Sequence, residues 1–440
     1  MKSIKRSIEN ALSSWKTTTN RKVLMLRGAR QVGKTFSIRK FGQKFDRILE
    51  VNFDDNTNIH SLFGGDMDVQ NIIQTLSVQY NIPIIEGTTL VFFDEIQACP
   101  NAIRSLRYFY EKMPDLHVVA AGSLLEFALE EIPSFGVGRI QTLFMYPLTY
   151  HEFLSEIHPS LPPIIDAADS NNPLENNLHQ LACDYFKTYQ IIGGMPEVVS
   201  EYLETGNYLN CTQLLDNLVQ SFQTDFAKYK KRSPLEALKL VFQSIAKQAG
   251  NKFIYKHVAP ELEHKTIKSA LQLLLQAGLI YKIHHSGSSG IPLGSQINPK
   301  KFKILPFDSG IYQRLLGLNL KDYFLKNNLE LINKGSLAEV TAGIQLMHHQ
   351  SSLLQPQLYY WHREAKSSNA EIDYIIQQDG NIIPIEVKAG TKGQMQSMFL
   401  FLNSKNLDRG IRLSLENYSR NDRIENIPLY AIKSLLDSHQ

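Results

Sequence analysis

The sequence predicts an α/β fold, with a parallel sheet in the first third of the chain. Apolar runs long enough for one strand alternate there with amphipathic stretches long enough for a helix; the runs cover 22–28, 48–53, 89–95 and 117–123. Continuous apolar runs are typical of strands buried on both faces of a parallel sheet. A glycine-rich motif follows the first run, and a second, separate α/β pattern begins near residue 330.

The composition excludes several classes of protein. Of the 440 residues, 43% are hydrophobic and 20% are charged, as in ordinary globular proteins. No apolar run approaches the roughly 18 residues of a membrane-spanning helix, so we expect a cytoplasmic protein without a membrane partner. Cys99, Cys183 and Cys211 lie far apart and form no CxxC pair. This pattern indicates neither a disulfide framework nor a zinc site, and it predicts buried thiols.

The first strand runs into a phosphate-binding motif of the form GxxxxGK[ST]. Its residues are Gly28, Ala29, Arg30, Gln31, Val32, Gly33, Lys34 and Thr35. The glycines allow backbone N–H groups to surround a β-phosphate, Lys34 neutralises β- and γ-phosphate oxygens, and the Thr35 hydroxyl coordinates Mg²⁺. The motif therefore predicts a P-loop that binds a nucleoside triphosphate with Mg²⁺. Because the sequence contains no NKxD-type guanine motif, we expect ATP.

Two carboxylates at the end of the 89–95 strand complete the predicted site. Asp94 is expected to hold Mg²⁺, and Glu95 to polarise the water that attacks the γ-phosphate, so ATP hydrolysis is the predicted activity. Ser123 ends the next strand, and two interpretations stay open: it contacts the γ-phosphate or the water, or it caps the following helix. Arg139 is a candidate arginine finger for its own site or a neighbour's, although a structural or solvent-exposed arginine is the favoured interpretation.

The middle of the chain is strongly basic. Residues 226–303 contain fourteen Lys or Arg residues against three Glu, a net charge of +11 in a chain whose total is +3. Such an asymmetry within one polypeptide suggests contact with a polyanion. Before this segment, the Pro-, Asn- and Asp-rich residues 155–177 predict a long surface loop, and helices are expected to dominate from there to about residue 282.

The basic segment has the element order of a winged helix. Helices are predicted over 235–249, 255–261 and 264–278, followed by two strand-like runs around a Gly/Ser-rich loop. Lys265 and Lys268 fall on the polar side of the third helix, where a recognition helix contacts DNA. Further basic candidates are Lys228, Lys230, Lys231, Arg232, Lys252 and Lys256. We predict salt-sensitive DNA binding; the alternative is a protein-packing module whose lysines stay solvated.

The C-terminal pattern resembles the core of PD-(D/E)xK nucleases. Asp373 lies on one predicted strand, and after a Gln-Asp-Gly turn Glu386 and Lys388 share a face of the next. Two carboxylates of this kind can bind Mg²⁺ while Lys388 stabilises the attacking hydroxide or the phosphate charge. The nuclease-like fold implies a further acid on the preceding helix, Glu339. The alternative is a module that has lost cleavage and keeps a binding or structural role.

Segments spread over nearly the whole chain resemble a family of prokaryotic AAA-type ATPases with a C-terminal domain of uncharacterised function. They are 27–35, 90–100, 120–127, 138–154, 191–199, 302–316 and 372–390. The resemblance implies an AAA-like core, a helical lid, a winged helix and a nuclease-like C-terminal fold. Lys34, Thr35, Asp94, Glu95 and Ser123 match the family's nucleotide-site positions. The predicted boundaries are 1–155 for the P-loop ATPase core, 156–230 for the lid, 231–325 for the winged helix and 326–440 for the nuclease-like domain.

Three functional hypotheses follow from these patterns. In the first, an ATPase uses its nucleotide state to control a DNA-binding winged helix and a nuclease-like domain. In the second, ATP binding sets the conformation of a signalling switch that acts on a protein partner, and the nuclease-like domain is inactive. In the third, the chain is first of all a metal-dependent nuclease. The sequence leaves both a monomer and an oligomer open.

Overall fold

Parallel strands form the first sheet, as the apolar runs predict. The computed structural model describes residues 3–65, 67–123, 125–131, 138–229, 232–318, 334–363, 369–390 and 395–437. Within these residues the sheet has five strands in the order β2-β3-β4-β1-β5. They are β1 (Val23–Arg27), β2 (Arg47–Asn52), β3 (Thr89–Asp94), β4 (His117–Ala121) and β5 (Ile140–Phe144). Strands β1 to β4 agree with the prediction, whereas β5 has no counterpart among the predicted strands.

Side chains of this sheet alternate between two hydrophobic cores. Leu24 and Leu26 of β1 lie in one core, and Val23 and Met25 lie in the core on the opposite face. Helices α1 and α2 contribute to the first core, and α3 and α4 to the second. The helices of this region are α1 (Ile8–Thr17), α2 (Lys34–Gly42), α3 (Val69–Tyr80), α4 (Pro100–Lys112) and α5 (Leu125–Glu131), with 3₁₀ turns at Thr57–Phe63 and Ile96–Ala98.

Helices follow the first sheet, and they correct one sequence-based expectation. They are α6 (Tyr150–Ile157), α7 (Leu161–Asp166), α8 (Asn176–Ile192), α9 (Pro196–Thr205) and α10 (Tyr208–Asp225). The predicted surface loop over 155–177 is therefore wrong where α7 lies. Prolines occupy the first turn of α7, a position where a missing N–H costs no hydrogen bond. Leu161 and Ile165 of this helix are buried in the main core.

The basic segment has the predicted order of elements. After a 3₁₀ turn at Phe226–Tyr229 come α11 (Leu235–Gln248), a 3₁₀ turn at Tyr255–His257, α12 (His264–Gln276), β6 (Ile280–Ser286), β7 (Ile297–Pro306) and α13 (Ser309–Leu315). The predicted helix over 255–261 is only a single 3₁₀ turn. Strands β6 and β7 form an antiparallel hairpin, with a 3₁₀ turn at Leu293–Gln296 between them.

The second sheet joins this hairpin to the C-terminal module. In the described part of the chain it has eight strands in the order β12-β13-β11-β10-β9-β8-β6-β7. The further elements are α14 (Lys334–His348), β8 (Tyr359–Arg363), β9 (Ala370–Gln378), β10 (Asn381–Val387), α15 (Gln396–Lys405), β11 (Gly410–Ser414), β12 (Ser419–Asn421), β13 (Ile424–Pro428), a 3₁₀ turn at Leu429–Ala431 and α16 (Ile432–Asp437). β6 pairs in parallel with β8, so the hairpin and the module share one sheet. The β9–β10 hairpin confirms the predicted turn, because Asp379 and Gly380 both have positive φ.

One hydrophobic core extends from the first sheet through the middle helices to the second sheet. Asp308, the N-cap of α13, accepts hydrogen bonds from the N–H groups of Gly194 at 2.7 Å and Ile311 at 3.0 Å. This carboxylate fixes the α8–α9 turn against the end of β7. The three cysteines are buried and free, in agreement with the prediction. Among the helices that the structure describes, none combines the length and the apolar character that a membrane span requires.

Candidate functional site

The P-loop connects β1 to α2 with a backbone that depends on its glycines. Gly28 and Gly33 have φ values of +151° and +96°, a region that glycine adopts without steric cost. A Cβ on Gly28 would also lie 2.1 Å from the carbonyl oxygen of Met145. Gly33 is the N-cap of α2, and the first N–H groups of a helix have no intrahelical acceptor. These groups are therefore available to a phosphate at this end of α2.

Lys34, the first residue of α2, lies beneath the loop and is 7% exposed. Its ammonium donates hydrogen bonds to the carbonyl oxygens of Gly28 at 2.8 Å and Ala29 at 2.7 Å. Burial lowers the pKa of Lys34 to about 8, against the opposing effect of nearby carboxylates. Because carbonyl acceptors are uncharged, a phosphate oxygen would be a stronger partner for this ammonium.

Thr35 and Asp94 meet at the carboxyl ends of the strands. The Thr35 hydroxyl donates to Asp94 Oδ2 at 2.9 Å, and the N–H of Glu95 donates to Asp94 Oδ1 at 3.0 Å. Burial raises the pKa of Asp94, and the Thr35 hydrogen bond acts in the opposite direction. A hydroxyl after the lysine and a carboxylate at the end of another strand of the sheet are the protein groups that hold nucleotide-bound Mg²⁺ in P-loop NTPases. The residues present therefore fit this ion.

Glu95 and Ser123 form a second polar group beside Asp94. Ser123 Oγ donates to Glu95 Oε2 at 3.3 Å, and the Gln97 side-chain amide donates to the same oxygen. Glu95 has a φ of +47°, a conformation that is strained for a residue with a side chain and is concentrated at functional sites. Ser123 is buried, so its hydroxyl holds the Glu95 carboxylate from within the protein.

A cavity of about 440 Å³ opens next to these side chains, within the size range of ligand pockets. Its lining includes Arg30 and other P-loop residues, Glu95, Ser123 and side chains of distant segments such as Ile4, Arg6, Glu197 and Ser221. Arg30 forms an ion pair with Asp225 at the end of α10. Val32, by contrast, is fully buried in the main core, so only its backbone can contribute to the loop. Glu95 and five P-loop residues thus line one cavity, and Asp94 is held beside it by Thr35; the five are Arg30, Gln31, Gly33, Lys34 and Thr35.

Comparisons with known proteins agree with this geometry. A family model described as an AAA domain matches residues 20–154. This part of the chain is a P-loop ATPase domain of the AAA type. Two further models, each described as a domain of unknown function (DUF8612 and DUF4143), match residues 183–322 and 334–432. Among curated proteins, none matches the chain.

Solved structures resemble the chain at low sequence identity. The Walker-type ATPase Paby2304 of Pyrococcus abyssi is 14% identical over 71% of this chain and 96% of its own, with a TM-score of 0.47. The ORC1 protein of Aeropyrum pernix, solved in complex with DNA, is 14% identical over 73% and 92%, with a TM-score of 0.27. PCH-2 of C. elegans is 13% identical over 50% and 63%, with a TM-score of 0.26.

Arg139 lies at the amino-terminal ends of the strands of the AAA sheet, whereas the P-loop lies at their carboxyl ends. It precedes β5, whose Ile140 pairs with Val23 at the start of β1, whereas the P-loop follows the end of β1. Four residue steps along the strand, about 13 Å, separate these two ends of the strands. Arg139 also donates to Glu111 Oε1 on α4 at 2.6 Å. The parallel direction of β5 therefore places Arg139 away from its own nucleotide site, which does not fit the candidate role of arginine finger there, and a structural arginine stays the favoured interpretation.

The turn between α12 and β6 packs directly on the P-loop of the AAA domain. A Cβ on Gly278 would lie 3.3 Å from the backbone nitrogen of Ala29. Beside this contact, Tyr281 Oη lies 2.8 Å from Nε2 of His348 on α14, and the ring of Tyr146 stacks on the same imidazole. A second cavity, of about 510 Å³, is bordered by Gly28, Ser123, Tyr146, Tyr281 and Lys282. The P-loop, the basic segment and the C-terminal module therefore meet around one space.

Exposed basic residues lie around α12. Lys256, Lys265 and Lys268 are exposed, as is Lys252 before the 3₁₀ turn. Lys282 on β6 lies close enough to Lys268 that burial and this like charge together lower the pKa of Lys282. Two other candidates have acidic partners, Arg232 with Glu130 at 3.1 Å and Lys228 with Asp225 at 3.4 Å. Lys230 and Lys231 lie outside the described residues.

The C-terminal residues that were predicted from a nuclease-like pattern lie close together. Lys388 Nζ lies 2.6 Å from Glu386 Oε1, and Asp373 Oδ2 accepts a hydrogen bond from the N–H of Val387 at 2.8 Å. Burial raises the pKa of Asp373 and of Glu386. Burial likewise raises the pKa of Glu339 to about 7, and the negative charge of Asp373 adds to this shift. The structure therefore brings Glu339, Asp373, Glu386 and Lys388 into one cluster.

Lys303 of β7 is a member of this cluster that sequence reasoning counted only as part of the basic segment. The Lys303 side chain is 1% exposed, and its ammonium lies 3.0 Å from Glu339 Oε1 and 2.5 Å from Glu371 Oε1. Burial lowers the pKa of Lys303, but the carboxylates of Glu339, Asp373 and Glu371 outweigh this effect and raise it. The signal that could have revealed it is strand alternation, which places Lys303 in phase with the buried Leu305.

The second Mg²⁺ site expected at Glu339, Asp373 and Glu386 does not fit the side chains as they lie. In the described ranges, no group of three or more His, Cys, Asp or Glu side chains is arranged to hold a metal ion. Lys303 holds Glu339, Lys388 holds one oxygen of Glu386, and Asp373 accepts a backbone N–H. Within the described part of the chain, Glu386 Oε2 is buried without a hydrogen-bond partner, but a single buried oxygen does not make a metal site.

Proposed function

We propose that this protein is a Mg²⁺-dependent ATPase whose nucleotide state controls DNA binding by its basic segment. The observation that carries the proposal is the 2.9 Å hydrogen bond between Thr35 and Asp94. It unites the last residue of the P-loop with the carboxylate at the end of β3, next to a cavity large enough for a nucleotide. Mg²⁺ bound there would neutralise charge on the β- and γ-phosphate oxygens.

The side chains around the cavity have distinct roles in this proposal. Lys34 exchanges its carbonyl partners for phosphate oxygens, and the N–H groups at the start of α2 bind the same phosphates. Glu95 acts as the general base that orients the attacking water. Ser123 and Gln97 position the Glu95 carboxylate through their hydrogen bonds to Oε2. Of the two interpretations of Ser123, this contact favours a role at the nucleotide.

The contact between the P-loop and the α12–β6 turn supports coupling to the basic segment. Gly278 leaves room for Ala29, so a change in the loop backbone acts directly on the end of α12. The exposed Lys265 and Lys268 lie on this same helix and fit a surface that binds the phosphates of DNA. Binding through such contacts releases counterions from the DNA, so the affinity falls steeply as the salt concentration rises.

ATP turnover by the purified full-length protein tests the catalytic part of the proposal. We expect Glu95→Gln to abolish turnover and to keep binding of a fluorescent ATP analogue, because Glu95 activates water and does not hold the phosphates. Glu86→Gln, which changes an exposed carboxylate, is the matched control. Turnover that survives in Glu95→Gln would show that the active site has been assigned incorrectly.

An electrophoretic mobility shift with duplex DNA tests the DNA-binding part. At about 50 mM salt we expect a complex that weakens strongly at about 200 mM salt, and whose stability differs with and without ATP. The double substitution Lys265→Gln and Lys268→Gln should reduce both the affinity and the salt dependence. Lys247→Gln on α11, also exposed, serves as the control. Equal binding by the double variant and the control would refute the proposed surface.

A second candidate function is an ATP-dependent switch that acts on a protein partner. The position of Arg139 favours it, because this arginine pairs with Glu111 at the far edge of the sheet instead of reaching the nucleotide cavity. An ATPase without an arginine finger in its own site is expected to turn over slowly. If the protein binds no DNA at either salt concentration and hydrolyses ATP slowly, this candidate is favoured over the first.

A further inference from the structure

The carboxylate cluster of the C-terminal sheet contains a cation that belongs to the chain itself. Lys303 is 1% exposed, and its ammonium is within 3.0 Å of carboxylate oxygens from two different elements, Glu339 on α14 and Glu371 on β9. The ring of Tyr360 on β8 lies 5.2 Å from the same ammonium. A buried ammonium is stable only when opposite charges surround it, and this arrangement provides them.

We propose that Lys303 occupies the place that a divalent metal ion takes in a nuclease-like cluster. The C-terminal module then binds a partner or transmits a conformational change, and it does not carry out metal-dependent cleavage. The inference does not rest on the proposed ATPase function, because none of its residues lines the nucleotide cavity. The inference concerns which cation the carboxylates of the module bind. They bind the ammonium of Lys303 from β7, where the carboxylates of a metalloenzyme would bind Mg²⁺.

The remaining members of the cluster support this assignment. Lys388, the residue expected to stabilise an attacking hydroxide, lies 2.6 Å from Glu386 Oε1. Asp373 accepts a hydrogen bond from the N–H of Val387 at 2.8 Å. Among the described residues, Glu386 Oε2 is the only fully buried oxygen of these groups that lacks a hydrogen-bond partner. A divalent ion needs several oxygens at once, and here one oxygen each of Glu339, Glu386 and Asp373 is already held by an ammonium or an N–H donor.

The origin of Lys303 makes the cluster a connection between two parts of the chain. It comes from β7, inside the matched range 183–322, whereas Glu339 and Glu371 belong to the matched range 334–432. β7 lies at the edge of the second sheet and is paired with β6, whose neighbour β8 begins the C-terminal strands. The ion pairs therefore add a charged contact across this sheet, which fixes the basic hairpin to the module.

Binding of Mn²⁺ to the nucleotide-free full-length protein tests the proposal. Every sample carries Asp94→Asn, which removes the P-loop carboxylate as a second Mn²⁺ site. The compared proteins are this background alone, and the background with Lys303→Met, with Lys300→Met, with Asp373→Asn, or with Lys303→Met and Asp373→Asn together. Lys300 is an exposed lysine on the same strand and provides the matched control. The electron paramagnetic resonance signal of free Mn²⁺ reports binding.

We expect the background and Lys300→Met to leave the free Mn²⁺ signal unchanged. Lys303→Met should gain one Mn²⁺ site whose affinity is at least about tenfold higher than any Mn²⁺ binding by the background, because the carboxylates of the cluster lose their ammonium partner. Adding Asp373→Asn should remove that site. No gain in Lys303→Met would overturn the assignment of Lys303 to the metal's place. Mn²⁺ binding by the background that Asp373→Asn abolishes would overturn the proposal as well.

A cleavage assay keeps the proposal testable if Lys303→Met does not fold. Wild-type protein with plasmid and single-stranded DNA should leave both intact in Mg²⁺ or Mn²⁺, with or without ATP. Cleavage that Asp373→Ala eliminates would overturn the proposal. Intact DNA, together with the absence of a Mn²⁺ site in the background protein, would support it. Neither result depends on ATP turnover, so failure here and failure of the ATPase proposal are distinguishable.

Discussion

Two sites in this protein combine lysine with carboxylates, and they differ in what holds the lysine. At the P-loop, Lys34 donates to uncharged carbonyl oxygens beside a cavity of about 440 Å³. In the C-terminal sheet, Lys303 donates to the carboxylate of Glu339, pairs with that of Glu371, and is almost inaccessible. An ammonium held by carbonyls can exchange them for a phosphate, whereas one held by carboxylates already has charged partners.

The pKa directions of the two lysines express the same difference. Burial lowers the pKa of Lys34 to about 8, and the carboxylates of Glu95 and Asp94 offset only part of this effect. Burial acts in the same direction on Lys303, but the surrounding carboxylates outweigh it and its pKa is raised. The charged form of Lys34 is therefore stabilised further when an anion binds, whereas that of Lys303 is already stabilised by carboxylates of the fold.

Between the two lysine sites, the largest expected effect is the loss of catalysis in Lys34→Ala. We predict that ATP turnover falls by roughly 10²–10³-fold, because a preorganised charge facing the phosphates is removed. The melting temperature should stay nearly unchanged, since Lys34 makes only hydrogen bonds to uncharged loop oxygens. Lys40→Ala on the same helix, where Lys40 pairs with Glu9 at 2.8 Å, is the control for both measurements. Retained turnover in Lys34→Ala would remove Lys34 from the site.

At the other site, the corresponding substitution should affect stability. We predict that Lys303→Met lowers the free energy of unfolding by about 3–5 kcal/mol, because it leaves buried carboxylates without their partner. Urea unfolding followed by tryptophan fluorescence measures this change, and Trp361 on β8 reports from the same sheet. Lys300→Met should change it by less than about 0.5 kcal/mol. Partial recovery on adding Glu339→Gln would confirm the electrostatic cause, and equal stability of the two lysine variants would contradict it.

The contrast also explains which features the sequence could predict. The P-loop and its carboxylates follow from local patterns, since the motif Gly28–Thr35 and the strand before Asp94 are each contiguous. Lys303 does not, because its partners lie 36 and 68 positions further along the chain and are brought to it only by sheet order. Lys303 therefore looked like one more residue of a basic segment, until the pairing of β6 with β8 placed it among carboxylates.

Two further differences between expectation and structure have equally specific causes. The loop predicted over 155–177 contains α7, because two prolines at the start of a helix favour it instead of breaking it. Arg139 could be placed only after the direction of β5 was known, and β5 has too mixed a pattern to be recognised as a strand. Its burial is intermediate at four of five positions, unlike the fully buried β3 and β4. An edge strand of this kind carries no strong apolar signal.

Removing the hydroxyl of Thr35 should weaken the P-loop site by an intermediate amount. We predict that Thr35→Ala raises the Mg²⁺ concentration for half-maximal ATP turnover by roughly tenfold to hundredfold, the range typical of lost groups around a metal site. Thr35→Ser, which keeps the hydroxyl, should restore the wild-type value. A titration with Mg²⁺ at saturating ATP measures both. If Thr35→Ala and Thr35→Ser behave alike, the hydroxyl does not contribute to metal binding.

The smallest expected effect concerns Arg30, a P-loop cation that combines features of both lysines. It lines the nucleotide cavity, as Lys34 does, but it is paired with a carboxylate, that of Asp225, as Lys303 is with Glu339. If this partner competes with phosphate, Asp225→Asn should tighten ATP binding by about two- to fivefold, as expected for a partly exposed ion pair of about 0.5–1 kcal/mol. Fluorescence titration with an ATP analogue measures the affinity, and the gain should shrink as salt screens the charges.

Asp216 on the same helix provides the control for this last measurement. It forms an ion pair with Arg314 at 2.7 Å and does not line the cavity, so Asp216→Asn should leave the affinity unchanged. The sign of the Asp225→Asn effect then decides between two roles. Tighter binding means that the carboxylate restrains Arg30 until a phosphate replaces it. Weaker binding means that Asp225 positions Arg30 for the phosphate. In that case a carboxylate partner does not by itself show that a cation is unavailable to ligand, as it is for Lys303.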